Sequence, residues 1–201
     1  MKLYYAPNTI ALVALIALEE IGAAYQAVRL DFKASEQRGA AYLAVNPKGR
    51  VPALVTERGV VTEIAAILTW LAQSFPEKGL LPVDPFTAAK VQEIMSYFGT
   101  TMHISHAHRV RGARWSDDPA VIEGMKLKVA RNLTEQFGYV DGLLGDPWVG
   151  GEYSIADPYL YVLSRWAAGD GVDIALFPKV SAHFAAMEAL PAVQRALAVQ
   201  A

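Results

Sequence analysis

The sequence predicts an α/β domain built on a mixed sheet, followed by an all-helical domain, and three observations carry that expectation. Four short runs with strand character all fall before residue 63. A cluster of Pro76, Gly79, Pro82 and Pro85 then interrupts the chain, and beyond it every periodic segment has helical spacing. The boundaries read from these signals are residues 1–77 for the first domain, 78–86 for a linker and 87–201 for the second.

Lys2 to Tyr5 is an apolar, aromatic run stopped by Pro7, which suits a buried strand. Asn8 or Thr9 can cap the helix that follows, from about Ile10 to Glu20, and Gly22 closes it. Tyr25 to Leu30 alternates as a half-exposed strand does, and Ser35 to Leu43 reads as an irregular helical segment. Ala53 to Thr56 and Val60 to Thr62 are strands joined by the turn Glu57-Arg58-Gly59. Ile64, Ile67, Leu68 and Leu71 then recur at helical spacing. A helix between each of the early strands implies parallel pairing, the closing hairpin is antiparallel, and helices cover both faces. Helices are expected over 87–111, 119–144, 154–168 and 178–190, with Pro191 opening a last turn.

With 201 residues, 53% of them hydrophobic and 19% charged, the chain has ample material for a packed core. A net charge of −2 offers no general attraction to nucleic acid or an anionic membrane. The chain has no cysteine, which excludes disulfides, thiolate metal sites and an enzyme-borne sulfur nucleophile. His103, His106 and His108 cluster, but no carboxylate nearby completes a metal-ligand pattern, so no metal is expected. The apolar residues 10–18 follow a single lysine, Lys2, and end at Glu19-Glu20. They are too short for a membrane helix and lack a signal peptide's flanks, so the expected location is the cytoplasm.

The stretch Asn46 to Leu54, Asn-Pro-Lys-Gly-Arg-Val-Pro-Ala-Leu, puts Pro52 at the mouth of a strand, where its missing N–H costs nothing. Val51, held extended by the proline, can keep its own N–H and C=O free to pair with an extended peptide ligand; an ordinary edge-strand proline is the other reading. Glu63 opens a helix, where a carboxylate is favoured by the dipole alone or serves a ligand. His103, His106 and Arg109, at i, i+3 and i+6, share one side of a helix, either a solvated face or the border of a pocket to which Trp166 and Tyr97 add aromatic surface. Ser154 with Asp157 three residues on reads as a capping-box variant, structural rather than catalytic.

Tyr4-Tyr5-Ala6-Pro7, the Asn46 to Leu54 stretch, Thr62-Glu63 and Ser154-Ile155-Ala156-Asp157 together resemble a cytosolic glutathione transferase over essentially the whole chain. The Arg165-Trp166 pair and His103 are similar to the bacterial beta class. The resemblance implies a thioredoxin-like first domain that binds glutathione, a helical second domain that takes a small hydrophobic electrophile, and a homodimer active in detoxification. It implies that the Val51 main chain pairs with the cysteinyl part of glutathione, that Pro52 is cis, that Glu63 meets the ammonium, and that Lys33 reaches the glycyl end. His103, His106, Arg109 and Trp166 would border the electrophile pocket. The implied reaction is conjugation or glutathione-dependent reduction; the alternative is a glutathione- or ligand-binding protein of the same fold with little catalysis.

Two departures matter. The family usually carries Ser after the glutamate, and here stands Ile64, whose backbone N–H alone can bind the γ-glutamyl carboxylate. The beta class places Cys where Ile10 stands, and an apolar side chain offers nothing to a thiolate. Thr9, then Tyr5 and Asn8, are the candidates for poising the thiol, with helix capping as the competing role of Asn8 and Thr9.

Overall fold

The computed structural model describes all 201 residues. The chain forms two compact units, one of Met1–Leu81 with Glu188–Ala201 and one of Pro82–Met187. None of its helices is long and apolar enough to cross a membrane.

The first unit holds a four-stranded sheet of order β2-β1-β3-β4, with β1 at Lys2–Tyr5, β2 at Gln26–Arg29, β3 at Ala53–Thr56 and β4 at Gly59–Thr62. β1 runs parallel to β2 in the register Leu3↔Ala27, and β3 runs antiparallel to both β1 and β4. The expected parallel pairing of β3 is therefore corrected. Between β2 and β3 the only α-helix is α2, Ala40–Leu43, too short to carry the chain back along the sheet. The connection stays at one end, and β3 starts from the end where β2 stops.

That reversal positions everything of interest. β1 ends, β3 begins and β4 ends at the same edge of the sheet. The same edge holds the starts of α1 (Ala11–Ile21) and α3 (Ile64–Ser74). Strand alternation sends Leu3 and Tyr5, both buried, to the face covered by α1, while Tyr4 meets Tyr42 of α2 on the other, ring centroids 5.3 Å apart. α1 is buried from Ala11 to Leu18, so it is apolar all round as an enclosed helix must be. Gly22 ends it with φ 68°, its N–H donating to Leu18 O, as the sequence predicts.

After Pro191 comes a full helix, α10 (Pro191–Gln200), rather than a last turn. It belongs to the first unit and not to the helical one. α10 lies against α1, and Arg195 binds Glu19 through Nε at 2.8 Å and the Glu19 carbonyl through Nη2 at 3.0 Å.

The second unit contains α4 (Pro85–Tyr97), α5 (His103–Arg111), α6 (Pro119–Leu127), α7 (Val129–Leu143) and α8 (Ala156–Ala167), with most of α9 (Pro178–Glu188). A π-helical turn, Phe98–Met102, joins α4 to α5. The single helix expected over 119–144 is two, broken at Lys128. α8 is its core helix, buried from Ala156 through Ser164. At its start Asp157, 0% exposed, accepts from Val149 N–H at 2.8 Å, Ser154 N–H at 2.7 Å and Ser154 Oγ at 3.3 Å, and lies 3.1 Å from His183 Nε2.

Candidate functional site

The turn ahead of β3 is built from Asn46. Its buried side chain donates from Nδ2 to Arg50 O at 2.7 Å and accepts from Lys48 N–H at 3.2 Å, while Tyr42 Oη donates to the same Arg50 carbonyl at 2.6 Å. Burial pushes the Tyr42 phenol up, against the opposing pull of Asn46, so it stays a donor. Gly49 turns with φ 60°, and a Cβ there would meet Gln37 O at 3.0 Å. With Arg50 clamped, Val51 emerges at the edge beyond the last ladder pair, Tyr4↔Ala53, and neither its N–H nor its C=O has a hydrogen-bond partner. The Val51-Pro52 bond is cis, as the resemblance implies. A second cis bond, Asp146-Pro147, carries no counterpart in the sequence reading.

β4 delivers Glu63 to the same edge, at φ 68°, as the residue before α3. No side chain caps that helix, and the N–H groups of Ile64, Ala65 and Ala66 carry no bond in the protein. Three free amides and the positive end of the dipole form an anion-binding end. Ile64 offers its amide only, since its side chain is packed into the core. Glu63 is not free: Lys48 Nζ lies 2.5 Å from its Oε1 and 2.6 Å from Thr62 Oγ1. Lys48 was not singled out by its sequence, because nothing local relates it to a glutamate 15 residues on. Lys33 stands exposed in the turn after β2, its main chain fixed by Asp31 Oδ1 at 2.7 Å.

At the start of α1 the expected order of candidates changes. Tyr5 is 4% exposed and its hydroxyl donates to Val199 O at 2.8 Å, which commits its single proton away from the edge. Thr9 Oγ1 donates to Ala6 O at 2.7 Å and accepts from Ala11 N–H at 3.3 Å, so it serves the turn and the helix start. Asn8, exposed with φ 57°, keeps its side-chain amide without a partner, and only its backbone N–H is used, by Gln200 Oε1 at 3.3 Å. The backbone N–H groups of Thr9 and Ile10 are likewise unbonded.

In the second unit His103, His106, Arg109 and Trp166 come together, and a carboxylate holds two of them. Asp170, 5% exposed, takes His106 Nδ1 at 2.7 Å on one oxygen and lies 2.7 Å from Arg109 Nε on the other, an ion pair not aligned for a hydrogen bond. His106 also stacks on Trp166, 4.1 Å between centroids at 17°. His106 and Arg109 are thus both paired with one buried carboxylate, and the Arg109 side chain stays partly open to solvent. His103 lies beside the same indole, at 5.4 Å. Asp170 sits 64 residues from His106, beyond the reach of any spacing argument.

The family domain described as "Glutathione S-transferase, N-terminal domain" matches residues 1–73. The chain is 34% identical over 205 residues to the glutathione S-transferase GstA of Escherichia coli O157:H7, covering 100% of this chain and 98% of that protein. It is 32% identical over 209 residues to a maleylacetoacetate isomerase of Pseudomonas aeruginosa, covering 96% and 97%. The crystal structure of a glutathione transferase homologue from Sulfitobacter with bound glutathione superposes with a TM-score of 0.96 at 41% identity, over 98% of this chain and 97% of that one. With a curated relative and a solved structure matched along nearly their full lengths, and a thioredoxin-like sheet whose edge presents a free valine main chain, the chain belongs to the glutathione S-transferase family.

Proposed function

We propose that the chain binds glutathione along the sheet edge and is a glutathione-dependent enzyme acting on small hydrophobic electrophiles, as a cytoplasmic homodimer. The observation that carries this reading is Val51, whose N–H and C=O are both unbonded while Tyr42 and Asn46 hold the preceding carbonyl in place. The cysteinyl residue of an extended tripeptide pairs with these two groups as an added strand does. Its γ-glutamyl carboxylate meets the free amides of Ile64, Ala65 and Ala66, its ammonium meets Glu63, and its glycyl carboxylate is within the province of Lys33. The thiol then falls toward the start of α1, where the Asn8 side chain and the amides of Thr9 and Ile10 favour the thiolate. In conjugation the thiol loses its proton, sulfur forms a bond to the electrophilic carbon, and the leaving group departs with the bonding pair. A relative is named maleylacetoacetate isomerase, which supports isomerisation as a further reaction to test at the same thiolate.

A specific observation favours the second reading, a binding protein with little catalysis: Ile10 is apolar, and the hydroxyls of Tyr5 and Thr9 are committed elsewhere. Calorimetric titration with glutathione, followed by turnover assays with aryl halides, activated alkenes, a maleyl ester and hydroperoxides, tests both. Binding with turnover supports the enzyme and binding alone the second reading. Absence of binding ends both.

A further inference from the structure

Glu63 already has a cation on it. Lys48 leaves the Asn46–Gly49 turn, sets Nζ 2.5 Å from Glu63 Oε1, and shares a second contact at 2.6 Å with Thr62 Oγ1. Its backbone is held in turn, because its N–H donates to Asn46 Oδ1 and Asn46 is 1% exposed. Both side chains of the ion pair are open to solvent, Lys48 at 45% and Glu63 at 67%, so the pair is available to a ligand and is not part of the core. A carboxylate accepts through two oxygens, which leaves room for a ligand's ammonium, but two cations a few ångströms apart repel.

We propose that Lys48 is a specificity-determining residue: it acts as a resident ammonium on Glu63 and lowers the site's demand for an amine on the ligand. The inference rests on the reading that this edge holds glutathione. Its content is that γ-acyl thiol peptides lacking the α-amine are accepted by this chain to an extent that a bare Glu63 would not allow. Lys48 also draws the γ-glutamyl carboxylate, but that attraction is common to ligands with and without the amine. The ratio of the two affinities therefore isolates the ammonium.

The test is calorimetry of glutathione and of its des-amino analogue, glutaryl-cysteinyl-glycine, on the wild type, Lys48→Met and Lys48→Arg. In Lys48→Met the preference for glutathione over the analogue is expected to rise about fivefold, equivalent to about 1 kcal/mol. In Lys48→Arg, which keeps the charge, it is expected to stay within about twofold of the wild type. An equal preference in wild type and Lys48→Met overturns the proposal and leaves the glutathione site standing. Failure of both ligands to bind any of the three proteins overturns the site itself, and the proposal with it.

Discussion

Ile64 shows how one position is pulled two ways. Its side chain, 8% exposed, belongs to the core beside Ile67 and Leu68, while its amide belongs to the anion-binding start of α3. A serine there would add a hydroxyl to a bound carboxylate, a hydrogen bond to a charged group worth about 1.5–3 kcal/mol, and would remove a buried aliphatic side chain worth a similar amount. Ile64→Ser is therefore expected to tighten glutathione binding about tenfold by calorimetry and to lower the melting temperature in the same preparation. Unchanged affinity would mean that the carboxylate does not lie on this helix start. Under the proposed function Asn8 is the candidate at the sulfur end, because Tyr5 and Thr9 have spent their hydroxyl protons on Val199 O and Ala6 O. Asn8→Ala is expected to raise the pKa of the bound thiol, read as a displaced pH–rate profile, and to lower kcat/KM about tenfold, the scale of one hydrogen bond to a thiolate. A Thr9→Val variant that lost more activity than Asn8→Ala, with its fold intact, would reverse that assignment.

At the scale of elements, the parts that rest on local signals were legible in the chain and the parts that rest on distant partners were not. β1, α1 with its Gly22 cap, the β3–β4 hairpin and α3 all announce themselves through apolar periodicity and turn residues within their own span. The direction of β3 differs from the sequence expectation because it depends on how far a connecting helix carries the chain, and α2 has only four residues. Nothing such as Gly or Pro marks the break at Lys128, so one long helix was the natural reading of α6 and α7. The site divides in the same way: Val51, Pro52 and Glu63 lie in a recognisable local pattern, whereas Lys48 on Glu63 and Asp170 on His106 are pairings that only folding creates. Ahead of α8 the Ser154–Asp157 contacts that the sequence suggests do form, but one residue early: Ile155 precedes the helix and caps it with no side chain, and the strength of the entry lies in burial. Asp157 accepts Ser154 N–H and Ser154 Oγ, and Ser154 Oγ accepts Ala156 N–H at 3.3 Å. Ser154→Ala keeps the stronger backbone contact and is expected to cost about 0.5–2 kcal/mol by urea unfolding. Asp157→Ala would strand the Val149 and Ser154 amides in the core and is expected to cost more than 3 kcal/mol, about the sum of two unsatisfied buried donors. Equal costs would show that the carboxylate contributes nothing beyond the cap.

For the whole molecule the consequential feature is that the chain's last helix returns to its first unit. α10 closes over α1, receives the Tyr5 hydroxyl on Val199 O, and is tied by Arg195 to Glu19, which also accepts from Tyr25 Oη at 2.8 Å. Tyr25, at the threshold of β2, thus shares one carboxylate with the C-terminal helix. Burial pushes the Tyr25 phenol well up from its ordinary value of 10.0, the hydrogen bond to Glu19 and its negative charge push it further, and Arg195 opposes them. Because the folded value lies above the unfolded one, the native state keeps a proton that the unfolded chain releases. The associated stability is complete below about pH 10 and is lost as pH rises through the alkaline range. One proton changes stability by at most about 1.4 kcal/mol per pH unit, and by less here because the ring is partly exposed. Urea midpoints should therefore be lower at about pH 11 than at about pH 9 for the wild type, and the drop should be smaller for Tyr25→Phe. If Tyr25→Phe loses stability with pH as steeply as the wild type, the proton retained on Tyr25 is not the one that links folding to alkaline pH, whereas the Arg195–Glu19 and Tyr5–Val199 contacts of α10 stand apart from that outcome.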